Sequence, residues 1–450
     1  YIKTNNSRKL LSEIASKFYK NKLPNLVAVT GTNGKSSVVD FYSQILKLNN
    51  KKVASIGTLG VKTHLNNLKI NNTTLNPISL NKHLQKIKEH KIDNVILEAS
   101  SHGLKQHRLD GLNVKIGIFT NLSRDHLDYH KSYKDYLNSK LLLFNNLLKK
   151  NSNVITDIDI PQYKIIRNIV ERKKLKISTV GSIKSSLELI KHRYKNDKQV
   201  FQIKYNNKIY LLRVNLIGKV QIKNILMAMI AAEKSGLKFE KLVKTINKIK
   251  NVNGRLEKIG KLKNYSTVIL DYAHTPDALK NCLQNIQDQF PNKKISIVFG
   301  CGGDRDKVKR SQMGKIANKF CHKIYLTDDN PRFENPKKIR LTIKKSIEKN
   351  KLFEISNREK AIFTAMKNLQ SLDIKKIVTA ITSIVETLFI YQYRDFLIII
   401  CSYSYQDTRP KKKEALLKIK HFIFNSYVFT FFNTFQKKQL FLKSLTKKKF

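Results

Sequence analysis

Short runs of apolar residues alternate along this chain with stretches in which apolar residues recur every three to four positions. The runs end in small or polar residues and read, in chain order, NLVAVTG, NVILEASS, KIGIFTNLS, STVILDYAH, ISIVFGCGG and KIYLTDDNP. Helical periodicity occupies segments between them, such as SSVVDFYSQILKL and ISLNKHLQKIKEH. Buried strands that alternate with amphipathic helices are typical of parallel sheets, so the pattern predicts an α/β protein.

Every polar cluster in this pattern lies at the carboxyl end of a predicted strand. In a parallel sheet these ends meet along one edge, and ligands bind in the crevice outside them. The placement therefore indicates a ligand site that is assembled from several segments of the chain.

Three further changes in pattern divide the chain. Residues 199–218 alternate like an antiparallel hairpin with a turn at Asn206 and Asn207, and a helical segment follows. A new α/β series begins near residues 251–260, and the character of the sequence changes after about Leu372. We therefore predict a short N-terminal segment in residues 1–24, a central domain in 25–250, a second domain in 251–372 and a divergent, basic and apolar tail in 373–450.

Charge and cysteine content narrow the class of protein. The formal net charge is +54 over 450 residues, but the lysines are dispersed and are not gathered with aromatic residues on one element. This charge favours an anionic substrate and does not indicate nucleic-acid binding. The four cysteines lack metal or disulfide spacing, which is typical of a reducing cytosol. Charged residues interrupt the apolar run 381–403, so no membrane span is expected.

The segment TGTNGKSS, which follows the first predicted strand, resembles a phosphate-binding loop. Gly34, Lys35 and Ser36 fit the Gly-Lys-Ser part of the general signature, but Val29 stands where the first glycine belongs. In a strand-loop-helix context, backbone N–H groups can bind phosphate oxygens, while Lys35 neutralises their charge and Ser36 binds Mg²⁺. The segment therefore predicts an ATP site.

Two later strand ends carry further candidates. Glu98 ends a strand, where a carboxylate suits Mg²⁺, and Arg108 could bind a carboxylate or phosphate. His126 and His130 are four residues apart, as in some zinc sites, but no HExxH motif or cysteine accompanies them. We expect a single histidine to join a magnesium site.

The second domain places polar residues in the same way. DYAHTPDAL and GCGGDRD carry Asp271, His274, Asp304 and Arg305 at strand ends, where a crevice is expected. In DDNPRFENP, Arg332 lies between two prolines, which suits rigid binding of a carboxylate.

Taken together, these motifs resemble those of the Mur ligases, and among them the diaminopimelate-adding MurE type. The resemblance runs from about residue 5 to about residue 370 and rests on motifs that include TGTNGKSS, EASSHGLKQHR, TNLSRDHLDYH, GRLE, DYAHTPDAL and DDNPRFENP. The family loop reads TGTNGK[ST][ST], which accounts for Val29. The implied fold is a central P-loop ATPase-like parallel sheet domain followed by a C-terminal Rossmann-like α/β domain.

The resemblance also implies roles for individual residues. ATP would be bound by the loop and by two contacts from later segments, namely Gly31, Thr32, Asn33, Gly34, Lys35, Ser36, Ser37, Asn224 and Asp271. Two Mg²⁺ ions are implied, with ligands from Ser36, Glu98, His126 and a carbamylated Lys140. Arg255 joins Lys35, Glu98, His126 and Lys140 as a catalytic residue. Without the resemblance, Lys140 would be predicted to lie on the surface of a helix.

The implied substrate contacts fall into two groups. Those for the muramoyl dipeptide are Thr73, Thr74, Ser100, Gln106 and Arg108. Those for the amino acid are His274, Arg305, Asp329, Asn330, Pro331 and Arg332, and in the family Arg332 goes with meso-diaminopimelate.

The implied reaction is ATP-dependent addition of meso-diaminopimelate to the D-glutamate side chain of UDP-N-acetylmuramoyl-L-alanyl-D-glutamate, through an acyl phosphate. The resemblance further implies a cytoplasmic monomer that acts in peptidoglycan precursor synthesis.

Two departures from the family keep an alternative open. About 24 residues precede the first strand, so residues 1–24 would be the remnant of a UDP-binding domain, and the chain does not begin with Met. The GKGHE motif, whose Gly and Glu complete the amino-acid pocket in the family, is absent, and the divergent tail begins where it is expected. One alternative is an impaired, truncated or frameshifted product that binds ATP without ligating. Another is a folylpolyglutamate synthase-like ligase, against which EASSHGLKQHR and DDNPR argue.

Overall fold

The computed structural model describes residues 3–19, 23–195, 198–262, 266–304, 306–380 and 396–400. The chain divides after Arg255 into two compact units, Tyr1–Arg255 and Leu256–Phe450.

The first unit is a mixed α/β structure built on one large sheet. Its helices are α1 (Ser7–Phe18), α2 (Lys35–Leu48), α3 (Pro77–Glu89), α4 (Ser101–Lys105), α5 (Tyr133–Leu142), α6 (Tyr163–Arg172), α7 (Lys219–Lys234) and α8 (Phe239–Thr245). Its strands are β1 (Asn25–Thr30), β2 (Val53–Gly57), β3 (Gly60–Lys62), β4 (Asn67–Leu68), β5 (Asn94–Glu98), β6 (Val114–Phe119), β7 (Leu148–Asp157), β8 (Lys176–Gly181), β9 (Leu187–Lys195), β10 (Lys198–Tyr205) and β11 (Lys208–Val214).

The strand order in this sheet is β11-β10-β9-β8-β7-β6-β1-β5-β2-β3-β4. The strands from β2 to β9 across the centre pair in parallel, whereas the two ends of the sheet are antiparallel. Strand β1 lies between β5 and β6, both of which follow it in sequence. The strands from β2 to β5 lie on one side of β1, and those from β6 to β11 lie on the other side. In sheets with this topology, ligands bind outside the carboxyl end of the strand at which the order reverses, which here is β1.

Burial on both faces fixes β1 in the middle of the sheet. Val27 and Val29 join an apolar core that includes residues of α2 and α7, whereas Leu26 and Ala28 join the core on the opposite face. Successive side chains of a strand point to opposite faces, so a continuous apolar run satisfies both cores. Each buried valine or leucine contributes about 1.5–3 kcal/mol, which holds the loop after β1 in place.

The predicted hairpin is confirmed in β10 and β11. Its turn residues Asn206 and Asn207 have φ values of 45° and 62°, as a two-residue turn of type I′ requires.

The second unit is also α/β. Its helices are α9 (Pro276–Gln289), α10 (Val308–Phe320), α11 (Pro336–Lys344) and α12 (Arg358–Ala380). Its strands are β12 (Glu257–Lys261), β13 (Thr267–Asp271), β14 (Ile295–Phe299), β15 (Lys323–Leu326), β16 (Leu352–Glu354) and β17 (Phe396–Ile400), in the order β12-β13-β17-β14-β15-β16. The α/β class predicted for the chain is confirmed.

Strand β17 falls within the segment that the sequence pattern set apart as a tail. Its backbone pairs in parallel with both β13 and β14, which puts it inside the sheet. The sequence FLIII is a continuous apolar run of the kind found in central parallel strands. Within the described residues no helix is both long and apolar enough to cross a bilayer, and most of the apolar run 381–403 lies outside them.

Candidate active site

The phosphate-binding loop connects β1 to α2, and its backbone depends on two glycines. Gly31 and Gly34 have φ values of 141° and 88°, which side-chain-bearing residues rarely adopt. A Cβ atom at Gly31 would lie 1.9 Å from Thr120 Oγ1, and one at Gly34 would lie 2.7 Å from Asn224 Oδ1. Helix α2 begins at Lys35. Its first N–H groups have no partner within the helix and can bind an anion.

Lys35 folds back over this loop. Its Nζ donates to the carbonyl oxygens of Gly31 and Thr32, at 2.9 Å each. Burial lowers the pKa of Lys35, while Glu98 and Asp125 oppose that shift. The two hydrogen bonds hold Lys35 Nζ at the loop, where its positive charge would stabilise bound phosphate oxygens.

Glu98 ends β5 in a buried position, with 2% of its surface exposed. Its Oε1 accepts hydrogen bonds from Ser36 Oγ at 2.9 Å and from the Thr58 N–H at 2.8 Å, and its Oε2 accepts from Thr58 Oγ1 at 3.1 Å. Arg255 Nη2 donates to Ser36 Oγ at 3.2 Å. The carboxylate and hydroxyl oxygens fit Mg²⁺, which prefers oxygen ligands.

Lys140 is buried on α5, with 1% of its surface exposed, so the surface position that its sequence pattern predicts is wrong. Its Nζ donates to Gly31 O at 2.7 Å and lies 4.3 Å from the centre of the Tyr136 ring. Burial, and then the charge of Lys35, lower the pKa of Lys140 well below its ordinary value. Burial thus disfavours the charged form of this amine relative to that of an exposed lysine.

His126 lies in an aromatic cluster near the same tyrosine. Its ring centre is 4.8 Å from that of His102 and 6.1 Å from that of Tyr136, and its backbone N–H donates to Asp125 Oδ1 at 2.8 Å. His126 and Lys140 therefore flank one residue, Tyr136. In the part of the chain that the structure describes, no group of three or more His, Cys, Asp and Glu side chains could hold a metal ion.

The residues expected to contact the dipeptide form a connected network. Thr74 Oγ1 donates to Glu98 O at 2.9 Å, and the Ser100 N–H donates to Thr74 Oγ1 at 3.0 Å. Arg108 donates through Nη1 to Thr74 O at 2.6 Å and through Nη2 to Gln106 Oε1 at 2.6 Å. The structure thus brings these residues beside the Glu98 strand end.

Two other predicted residues reach the loop from later segments. Asn224 on α7 faces Gly34, and its Nδ2 donates to Gln221 Oε1 at 3.1 Å. Gln221 Nε2 in turn donates to Arg255 O at 3.1 Å. Asn224 and Arg255 are therefore linked through one glutamine.

In the second unit, Asp271 ends β13 and accepts hydrogen bonds from the N–H groups of Leu256 and Ala273, both at 2.8 Å. His274 follows three residues later, and Lys309 Nζ donates to its carbonyl oxygen at 3.2 Å.

The loop with Asp329, Asn330, Pro331 and Arg332 lies against the glycine-rich loop after β14. The Gly303 N–H donates to Asn330 O at 2.9 Å. Arg305, which was predicted to join this site, lies outside the described residues.

Four contributors were missed from the sequence, namely Gly57, Thr58, Thr120 and Tyr136, although Thr120 opens the motif TNLSRDHLDYH. Thr58 holds Glu98, Tyr136 contacts Lys140, and Thr120 contacts the loop through Asn33 O at 2.6 Å. Strand-end position was a usable signal for Gly57 and Thr120, since they close β2 and follow β6.

Two family models match the chain. That of the Mur ligase middle domain matches residues 29–232, and that of the Mur ligase glutamate ligase domain matches residues 254–378. The UDP-N-acetylmuramoyl-L-alanyl-D-glutamate–2,6-diaminopimelate ligase of Rickettsia montanensis is 41% identical over 369 residues, which are 81% of this chain and 76% of that protein. The protein of the same name from Chelativorans sp. (strain BNC1) is 37% identical over 83% of this chain and 76% of its own length.

Solved structures agree with these matches. A structure of a UDP-N-acetylmuramoyl-L-alanyl-D-glutamate–2,6-diaminopimelate ligase has 28% identity and a TM-score of 0.60, over 88% of this chain and 77% of that one. Folylpolyglutamate synthase of Mycobacterium tuberculosis, complexed with ADP, has a TM-score of 0.68 at 14% identity, over 89% and 92% of the two chains. At that identity the second likeness shows the fold alone.

Proposed function

The chain belongs to the Mur ligase family, and we propose that it is an ATP-dependent ligase that joins meso-2,6-diaminopimelate to the D-glutamate side-chain carboxylate of UDP-N-acetylmuramoyl-L-alanyl-D-glutamate. The observation that carries this proposal is a phosphate-binding loop whose Ser36 hydroxyl contacts the buried Glu98 carboxylate, in a chain 41% identical to ligases of that name. We also propose that the protein is a monomer and acts in the cytoplasm.

ATP would be bound by residues 31–37, with Lys35 and Arg255 beside its phosphates. The N–H groups at the start of α2 and the Lys35 ammonium provide positive charge where the γ-phosphoryl group is transferred. Asn224, which faces Gly34, would orient the nucleotide from the other side of the loop.

Two Mg²⁺ ions would bind next to the loop, one at Ser36 and Glu98 and the other at His126 and a carbamylated Lys140. Bound Mg²⁺ supplies charge neutralisation for the transferring phosphoryl group. Carbamylation needs a neutral amine, and the lowered pKa of the buried Lys140 supports it. A carbamate would replace a cation with anionic oxygens, which are the ligands that Mg²⁺ requires.

The reaction would proceed in two steps. The D-glutamate carboxylate attacks the γ-phosphorus of ATP, which forms an acyl phosphate and releases ADP. The amine of diaminopimelate then attacks the acyl carbon, loses a proton and expels phosphate as the amide forms. Thr73, Thr74, Ser100, Gln106 and Arg108 would hold the dipeptide, and the contribution of the protein would be mainly positioning and electrostatics.

In the second unit, Asp271 would contact the nucleotide. His274 and the loop of residues 329–332 would bind the amino acid, and Arg332 would pair with its second carboxylate. Guanidinium groups bind carboxylates through two parallel hydrogen bonds, which suits this selection. Arg305 is expected to contribute as well.

Phosphate release from ATP tests the proposal directly. The chain is assayed with Mg²⁺ and the dipeptide nucleotide, with meso-diaminopimelate or L-lysine added in parallel. We expect release that requires both the nucleotide and diaminopimelate, with Lys35→Met inactive and the exposed Lys164→Met fully active. ATP binding without release would instead support the impaired-product alternative.

Carbamylation of Lys140 needs its own measurement. The chain is incubated with ¹³C-bicarbonate, and a carbamate carbon is sought by NMR. We expect one carbamate signal that is absent from Lys140→Gln, and the same spectrum from both chains would contradict the assignment.

A further inference from the structure

Two loops of the second unit are tied to each other around Arg332. We call them the glycine loop (residues 301–304) and the arginine loop (residues 329–334). The Gly303 N–H donates to Asn330 O at 2.9 Å, and Arg332 Nη1 donates to Gly303 O. The Phe333 N–H donates to Asp304 Oδ2 at 3.0 Å. The position of the Arg332 guanidinium therefore depends on contact between the loops.

An ion pair between Glu334 of the arginine loop and Arg310 of helix α10 adds a further contact to the two loops. Arg310 donates through Nη1 to Glu334 Oε2 at 3.0 Å and through Nη2 to Glu334 Oε1 at 2.7 Å. The two side chains are 4% and 19% exposed. Glu334 Oε1 also accepts the Asp304 N–H at 2.6 Å, so one carboxylate joins α10, the glycine loop and the arginine loop.

The loops approach too closely to tolerate much adjustment. A Cβ atom at Gly303 would lie 1.9 Å from Pro331 O, and one at Gly302 would lie 3.1 Å from Arg332 Nη1. Arg332 itself has a φ of 49°, which is uncommon for a residue with a side chain. Such conformations persist only where surrounding contacts impose them.

We propose that Arg310 and Glu334 are positioning residues that hold Arg332 in the orientation required to select an amino acid with a second carboxylate. This inference rests on the proposed function, since it assumes that Arg332 contacts diaminopimelate. Neither Arg310 nor Glu334 needs to touch the substrate. Bidentate recognition of a carboxylate is sensitive to direction, so a loosened Arg332 loses selectivity before the unit loses its fold.

A purely structural ion pair is the competing interpretation, and kinetics separate the two. Glu334→Gln keeps the size of the side chain but removes its charge, and Arg310→Lys keeps the charge but loses the bidentate geometry. Glu348→Gln is the matched control, because Glu348 is also ion-paired, to Lys351 at 3.1 Å, on the same unit. For each chain we would measure KM for diaminopimelate, KM for ATP, the rate with L-lysine and the melting temperature.

We expect Glu334→Gln to raise KM for diaminopimelate by about 10- to 100-fold, as a displacement of the order of 1 Å would produce. KM for ATP should stay within twofold, and the preference for diaminopimelate over L-lysine should fall. Arg310→Lys should show a smaller effect in the same direction, and Glu348→Gln none. A lower melting temperature with unchanged KM and unchanged preference would overturn the proposal.

Binding of diaminopimelate, measured by calorimetry, separates this inference from the proposed reaction. If the unaltered chain binds diaminopimelate but releases no phosphate, the proposed activity fails, yet weaker binding to Glu334→Gln still supports the positioning role. If both chains bind diaminopimelate equally, the positioning role fails whatever the activity.

Discussion

Gly57→Ala tests how the Glu98 carboxylate is held without altering any residue proposed to bind ATP or Mg²⁺. Gly57 is the last residue of β2, and its φ is not positive, so the substitution adds no backbone strain of that kind. An added Cβ would lie 2.5 Å from Glu98 Oε1, 2.6 Å from its Cγ and 2.8 Å from its Cδ. The whole effect should therefore pass through displacement of Glu98.

The size of the effect follows from these distances. Ordinary contacts of a Cβ begin at 3.4 Å, so the carboxylate must move by about 1 Å. Misplacement of this size costs about 10²-fold in rate, and overpacking costs about 1–3 kcal/mol of stability. The contacts at risk are the hydrogen bonds from Ser36 and Thr58, each worth about 1.5–3 kcal/mol because the acceptor is charged.

The assay is phosphate release over a range of Mg²⁺ concentrations, together with thermal unfolding. Gly57→Ala should lose about 10²-fold in rate and require more Mg²⁺. Gly236→Ala is the control, because that residue has a φ of 97° but nothing within 4 Å of the added Cβ, so about 1 kcal/mol of stability should be lost without any change in Mg²⁺ dependence. Shortening the acid in Gly57→Ala/Glu98→Asp should restore part of the rate. An unchanged rate and Mg²⁺ dependence in Gly57→Ala would refute the role given to Glu98.

Gly31→Ala should abolish ATP binding and cost about 2–6 kcal/mol, the sum of backbone strain and the 1.9 Å clash with Thr120, as calorimetry and urea unfolding would measure. Lys140→Met should reduce phosphate release by at least about 10²-fold. Its melting temperature should stay the same or rise, because an apolar group replaces a buried amine. Retained activity in this variant would contradict the role proposed for Lys140. The pKa of Glu334 is lowered to about 2, chiefly by its hydrogen bonds from Arg310. The charged carboxylate therefore stabilises the fold above pH 4.5, and this stabilisation is lost as the pH falls from 4.5 to 2. The difference in unfolding free energy between the unaltered chain and Glu334→Gln should shrink over that interval.

Strand ends were the part of the site that could be read from the sequence. Glu98 closes an apolar run in the first unit and Asp271 closes one in the second, and parallel pairing brings the strand ends of each sheet to one edge of that sheet, so a local pattern was enough to single them out. The pairing of Thr58 with Glu98, and that of Tyr136 with Thr32, could not be found in this way. Thr58 meets Glu98 from a strand end 40 positions earlier, and Tyr136 meets Thr32 across 104 positions. Such contacts depend on strand order, which periodicity does not encode.

The same limit explains β17. The run FLIII is apolar enough for a strand, but the charged residues before it and the absence of a family motif gave no reason to extend the second domain that far. It pairs with both β13 and β14 because these two strands are not neighbours in the sheet, and the order of the strands cannot be read from the periodicity of the sequence.

The burial of Lys140 could not be predicted from its local sequence pattern, and it has an electrostatic consequence for the loop after β1. Lys35 and Lys140 both donate to a single acceptor, Gly31 O, at 2.9 Å and 2.7 Å. Two ammonium groups on one oxygen repel each other, and burial weakens the screening of that repulsion by water. The lowered pKa of Lys140 relieves it in one way, because it disfavours the charged form of the amine. Anionic groups relieve it in another: phosphate oxygens at Lys35 or a carbamate on Lys140 would turn the repulsion into attraction. The arrangement is therefore costly for a purely structural loop and suited to one that gains negative charge when it binds its substrate.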